Sequence, residues 1–402
     1  MSNKKVNIPV ALAFVGLMFF SLGFALGINS FLIPVLKGGL EISSSTSYLL
    51  IAATFVPFLI FGYPASILIS RIGYKGTMAV SYALFAFAFG GYILSAHANS
   101  LVLFLVASSV SGTANTVLQA AVNPYITILG PIESAARRTS IMGICNKLAW
   151  PVAPLFLAFV INKAVSETQL PDLDKPFWII IVVFVLLGII SLLAPLPEVK
   201  AVGEDETESQ DCPYAASKTS IWQFPHLLLG CLALFVYVGV ETISLSTLVD
   251  YANDCGFDNA NNYAWIPSIG MVVGYVCGIV FIPKYLKQST ALVICSWVAI
   301  VGSVLVPCVP ANIGIWCIGL LALGCSLMWP AVWPLAMTDL GRFTKAGGGL
   351  LTTAMAGGAV VPYLFGLMKD SMGMQNAYWI CLPCFLIILL FGTRWYKIRK
   401  RV

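Results

Sequence analysis

The chain has 402 residues, of which 59% are hydrophobic and 10% charged, with a formal net charge of +5. Soluble domains carry about 25% charged residues, so this balance, with a mean hydropathy of +0.91, excludes an ordinary soluble enzyme or binding module. It defines an integral membrane protein.

Twelve apolar stretches, near 9–36, 47–70, 76–96, 100–129, 139–162, 176–195, 225–250, 262–283, 289–308, 311–337, 346–368 and 374–395, are each long enough to cross a hydrocarbon core of about 30 Å. The first follows Lys4 and Lys5 but is too long for a signal peptide and ends without an A-x-A cleavage site, so it is predicted to be retained. Of the 22 Lys and Arg, only Lys37, Lys163, Lys175 and Lys369 fall on the side away from the termini, and Lys147 lies within a span. The positive-inside rule then places both termini in the cytoplasm, and the basic tail Arg394–Arg401 becomes a lipid-headgroup anchor rather than a nucleic-acid site. Most of the 11 Cys lie in spans as small packing residues. Cys255 and Cys308, near the outer face, are the two that could pair, with nothing in the sequence to bring them close.

Stretch 1 carries Gly23 and Gly27, a spacing that admits a close neighbour, then Asn29, Ser30 and Pro34. Pro57 and Pro64 are expected to bend stretch 2, and the short basic turn RIGYKG (Arg71–Gly76) joins it to stretch 3. In stretch 4, Ser111, Asn115, Gln119, Asn123 and Thr127 recur every fourth residue, which makes one polar ridge on a helix. Amides in hydrocarbon need partners, so the ridge faces a polar cavity or acts as helix–helix glue. Stretch 5 contains Asn146 and Lys147 with Trp150 and Pro151 just beyond; Lys147 is expected to face the cavity, bonding substrate or pairing with an acid.

The acidic segment Glu204–Asp211 marks a cytoplasmic linker at 197–224 between two halves, 1–196 and 225–402. Stretch 7 holds Glu241, the one acid deep in a span, with Ser244 and Thr247 following and Asp250 near the outer end. Such acids mark ion or proton pathways or the counter-charge of a buried base, and its charge state depends on whether it meets Lys147. Gly270, Gly274 and Gly278 form a packing face in stretch 8. In stretch 10, Trp329 and Trp333 each precede a proline and offer ring faces for a sugar or for packing. Stretch 11 is rich in glycine, with Gly357, Gly358 and Pro362 mid-span. A weak repeat relates Gly112, Pro124 and Leu129–Gly130 to Gly324, Pro334 and Leu340–Gly341, so the fold class is all-α, twelve transmembrane helices in two six-helix halves with a site between them.

At QAAVNPYITILGPIESAARRTSIMGICN (119–146) the chain is similar to the fucose permease and glucose/galactose permease family of the major facilitator superfamily. The likeness extends to GINSFLIP (27–34), YVGVETISLSTLVDYA (237–252) and MWPAVWPLAMTDLGRFTKAGGGLL (328–351). The resemblance implies a monomeric, cation-coupled symporter that imports a hexose across a bacterial inner membrane by alternating access. Fucose permeases couple to protons and some animal relatives to sodium. The family's acids are replaced by Ser30 and Gln119, while Asn146 matches a sugar-contacting Asn and Gly143 loses a neighbouring polar contact; Glu241 matches an acid of the glucose/galactose branch. Expected substrate residues are Asn29, Asn115, Gln119, Asn123, Asn146, Lys147, Trp329 and Trp333, and expected coupling residues are Glu241 and Ser30, with sodium, if used, near Glu241. Alternatives are transport of an acidic sugar with Lys147 as counter-charge and a transporter-fold sensor, which would normally add a long signalling tail. His97 and His226 lie near span ends with no metal-ligand spacing, so neither an enzyme nor a cofactor is expected.

Overall fold

The computed structural model describes residues 8–128, 135–163, 167–193, 213–282 and 285–400. Twelve spans cross the bundle: α1 (Ala11–Gly39), α2 (Ser45–Gly62), α3 (Arg71–His97), α4 (Leu101–Asn123), α5 (Arg138–Ile161), α6 (Leu170–Leu193), α7 (Pro225–Ser246), α8 (Ala260–Phe281), α9 (Gln288–Cys308), α10 (Ala311–Met337), α11 (Ala346–Met372) and α12 (Met374–Ile398). An even number of crossings brings the start of α1 and the end of α12 to one end of the bundle, called here the base; the other is the far end. The acidic linker residues, the Leu129–Gly130 pair and the side chain of Thr127 lie outside the described residues.

Buried apolar side chains form two cores. One is built wholly from α1–α6, around Phe19, Phe85, Phe89 and Phe184. The other fills α7–α12 and takes in Leu26, Ile33, Tyr48, Ile51, Phe55, Phe58 and Trp150 from the first half. Those seven residues are among the places where the halves meet.

Small residues set the helix contacts. At Gly23 and Gly27 an added Cβ would collide with the backbone carbonyls of Asn146 and Trp150, so α1 lies directly on α5. In the second half Gly357 of α11 lies on the Phe235 carbonyl of α7, and Gly270, Gly274 and Gly278 of α8 lie on Gly319, Ser326 and Leu327 of α10. The repeat is imperfect at this level. Gly112 of α4 packs on Thr54 of α2, whereas its sequence counterpart Gly324 packs on Ala299 of α9.

The spans are less continuous than their hydropathy suggests. Stretch 7 breaks at Thr247 (φ −98°, ψ −4°) before a short helix, Leu248–Asp254; the Thr247 hydroxyl bonds the Ile243 carbonyl at 2.7 Å and the Tyr378 hydroxyl at 2.8 Å. The α2–α3 turn rests on Gly73 at φ 71°, a left-handed conformation that suits glycine. In α10, Pro334 has no N–H for the Pro330 carbonyl, and Gln288 Nε2 donates to it instead at 2.5 Å. Cys255 and Cys308 are both free thiols, so the disulfide considered for them does not form.

Candidate functional site

The centre of the bundle holds an ion pair between the halves. Lys147 Nζ of α5 lies 2.9 Å from Glu241 Oε1 of α7, with side-chain exposures of 9% and 12%. Tyr237, one turn earlier on α7, donates its hydroxyl to the same Glu241 oxygen at 2.5 Å. The ammonium of Lys147 also lies 5.5 Å from the centre of the Trp150 ring, within cation–π range. Tyr275 of α8 closes the group from the second half: a Cβ added at Gly143 would come within 2.7 Å of its ring. A polar side chain at Gly143 would need the space that the Tyr275 ring occupies.

The pair is neutral as a unit, which is how two charges become tolerable at this depth. Removing either partner would leave the other buried and uncompensated.

The predicted amides surround α1. Asn115 Nδ2 donates to the Leu22 carbonyl at 3.3 Å and Asn146 Nδ2 to the Phe19 carbonyl at 3.0 Å, tying α4 and α5 to the same face of α1. Gln119 Nε2 donates to Asn115 Oδ1 at 2.7 Å. Asn29 Nδ2 bonds the Thr54 hydroxyl at 3.3 Å, and Ser30 beside it is buried. These donors hold the first half together, so part of the ridge does act as helix glue. Asn123 differs: its Oδ1 is buried with no hydrogen-bond partner among the described residues. Trp329 and Trp333 lie 5.9 Å apart with a tilt of 58°, so their rings do not form one flat platform, and Trp329 Nε1 has no partner among the described residues.

A second charged group, not foreseen from the sequence, joins the halves at the far end. Lys369 of α11 lies 2.6 Å from Asp250 Oδ2 and 2.7 Å from Asp254 Oδ2, all within the second half. The first half supplies Lys37 of α1, 3.1 Å from Asp254 and 3.8 Å from Asp250, and Tyr48 of α2, whose hydroxyl donates to Asp250 at 2.5 Å. The Ser45 backbone N–H donates to Asp370 at 3.0 Å. Burial of Asp254 opposes its ionisation, but Lys369 and then Lys37 outweigh that and hold its carboxyl below the usual range. Only the i, i+4 spacing of Asp250 and Asp254 signals this cluster in the sequence. Charges at span ends are otherwise unremarkable. Toward the base, a cleft between the halves is lined by Ser140, Gly278, Gln288, Leu327 and Pro330.

Two six-helix halves that meet around a buried, charge-bearing centre are the architecture of a membrane transporter. The chain belongs to the Major Facilitator Superfamily, whose family model matches residues 15–355. It is 32% identical over 401 residues to the glucose/galactose transporter of Brucella abortus biovar 1, covering 97% of this chain and 95% of that one. It is 23% identical over 423 residues to the L-fucose-proton symporter of Escherichia coli, covering 97% and 93% respectively. The crystal structure of the E. coli fucose:proton symporter superposes with a TM-score of 0.72 at 21% identity, over 96% of this chain and 98% of that one. These relatives are transporters, not enzymes.

Proposed function

We propose that the protein is a proton-coupled symporter that imports a neutral hexose across a bacterial inner membrane by alternating access, with the base and both termini in the cytoplasm. The observation that carries the proposal is the Lys147–Glu241 pair, an acid of one half on the only lysine placed deep within a span of the other. The names of the relatives, a glucose/galactose transporter and an L-fucose-proton symporter, support the substrate class, and a hexose of the glucose/galactose kind fits the stronger of these two likenesses. The surplus of Lys and Arg at the base supports the orientation.

In this reading Glu241 is the coupling group. A proton on Glu241 removes the charge that holds Lys147, so the ammonium turns to the sugar's hydroxyls and the two halves part more easily. The sugar is held by Asn123 and by the carbonyl sides of Asn29, Asn115, Gln119 and Asn146, with Trp329 and Trp333 beside it. Ser30 and Gln119 stand where related fucose permeases carry acids and are neutral, so they orient rather than titrate. Sodium prefers a shell of oxygen ligands; the groups on Glu241 are an ammonium and a phenol O–H that donates, which supports a proton instead. Lys147 is already matched by Glu241, which weighs against an acidic sugar.

The test is uptake of glucose, galactose, mannose, fucose and a uronic acid into proteoliposomes, with pH and sodium gradients imposed separately. Uptake of a neutral hexose driven by an inward proton gradient is expected. Uptake of none of the neutral sugars under either gradient would overturn the proposal, and a response to sodium alone would overturn its coupling.

A further inference from the structure

Among the described residues, two buried indole N–H groups lack acceptors, one from each half: Nε1 of Trp150 on α5 and Nε1 of Trp329 on α10. Among the same residues, Asn123 Oδ1 on α4 is a buried acceptor without a donor. A cation would satisfy only the acceptor and an anion only the donors. A hydroxyl group satisfies both, since its oxygen accepts while its proton is given away. Each of the three groups is thus one that a hydroxyl of a neutral polyol can satisfy.

Trp150 is the most constrained of the three. It is 4% exposed and one of the first-half residues that enter the second half's core. Its backbone is pinned by Gly27 of α1, which lies on the Trp150 carbonyl and on Ala153. Pro151 and Pro154 follow, and neither has an N–H, so the carbonyls of Lys147 and Trp150 lack the donor that a regular helix supplies four residues on. Lys147 sits one turn away with its ammonium over the ring. The side chain is thus held rigidly between the halves, beside the central ion pair, with its one polar atom unspent.

We propose that Trp150 is a specificity-determining residue of the substrate site, whose Nε1–H donates to one hydroxyl oxygen of the transported sugar. The inference rests on the sugar reading above. Indole can only donate, so an analogue that lacks that hydroxyl leaves the N–H unpaired and is rejected.

The experiment compares the wild-type protein with Trp150→Phe, which keeps an aromatic ring and removes the N–H, using the transported hexose and its series of monodeoxy analogues in proteoliposome uptake. In Trp150→Phe, KM for the parent sugar should rise roughly 5–10-fold, the size of one lost hydrogen bond, with little change in maximal rate. For one deoxy analogue, and one only, the two proteins should have equal KM. Trp150→His, which restores a ring N–H, should recover part of the loss. A KM within twofold of wild type for the parent sugar, or an equal rise for every analogue, would overturn the assignment, the latter showing a packing role instead. The wild-type protein alone gives a further readout should the variants fail to fold: if removing no single hydroxyl raises its KM more than twofold, the indole has no partner on the sugar and the inference falls. Absence of hexose uptake by wild type would instead be the failure of the functional reading.

Discussion

Tyr48→Phe isolates the bond that closes the far end. Tyr48 is fully buried, and its hydroxyl is given to Asp250 across the interface between the halves at 2.5 Å. Asp250 keeps Lys369 at 2.6 Å after the substitution, so no charge is stranded. The ring that packs on Phe365 and Gly366 is retained as well. A hydrogen bond to a charged acceptor contributes about 1.5–3 kcal/mol net, and about 1.4 kcal/mol is a factor of ten, so the closed-to-open ratio at the far end should fall roughly tenfold to hundredfold. Lys37 is the poorer target because its side chain is 32% exposed, and exposed ion pairs contribute about 1 kcal/mol or less. Hydrogen exchange read by mass spectrometry is the assay. Peptides covering residues 40–48 and 250–257 should exchange at least tenfold faster in Tyr48→Phe, because the Ser45 N–H to Asp370 bond opens with the same movement. Exchange within twofold of wild type in both segments would show that the hydroxyl does not hold the halves together.

Other outcomes follow from the same geometry. Lys147→Ala strands Glu241 and should cost about 3–5 kcal/mol, seen as a large fall in melting temperature in detergent; Lys147→Ala with Glu241→Gln should recover most of it, and a double variant no more stable than the single would refute the pairing. Glu241→Gln alone should leave sugar exchange between equal pools measurable while abolishing acceleration by a proton gradient. Asp254, outside the spans, has its carboxyl held low by Lys369 and Lys37 against the opposing effect of burial. A depressed native value gives stability that is complete above the unfolded carboxyl value of about 3.9 and is lost as pH falls through the lower native one. The melting temperature should therefore show no Asp254-dependent change from pH 7 to 5, and should fall more steeply below about pH 4 in wild type than in Asp254→Asn. Gly23→Val, which would drive a side chain into the Asn146 carbonyl, should separate α1 from α5 and abolish uptake without removing any polar group.

The spans and the two halves were legible because crossing a bilayer demands about twenty apolar residues each, a signal no other feature of the chain obscures. Lys147 and Glu241 were legible one by one, as charges where charges are costly. Their meeting was not, since periodicity tells which residues share a face of one helix and nothing of which helices face each other. The polar ridge of α4 shows the same limit from the other side. The four-residue spacing that marks a ridge is also hydrogen-bonding distance along a helix, and Gln119 and Asn115 use it on each other. The far-end cluster escaped because Asp250, Asp254, Lys37 and Lys369 stand at span ends, where charged residues are expected for solvation alone. The Thr247–Tyr378 bond escaped because its partners stand 131 positions apart in the chain.

The two charged contacts between the halves share a polarity. At the centre the first half presents Lys147 and the second Glu241; at the far end the first half presents Lys37 and the second Asp250 and Asp254. Parting the halves at either depth therefore leaves positive charge on the first and negative on the second. The far-end acids already share Lys369 with each other, and this lysine stays with them when Lys37 withdraws. Glu241 has no such second cation among its described ion pairs; its remaining bond is to Tyr237, a neutral phenol. Separation from Lys147 thus leaves Glu241 with the Tyr237 hydroxyl alone among its described partners. The far-end acids keep a cation of their own half whether or not the halves touch, whereas Glu241 loses its counter-charge when they part. Under the proposed mechanism that difference gives the far-end cluster a mechanical role and Glu241 the coupling role.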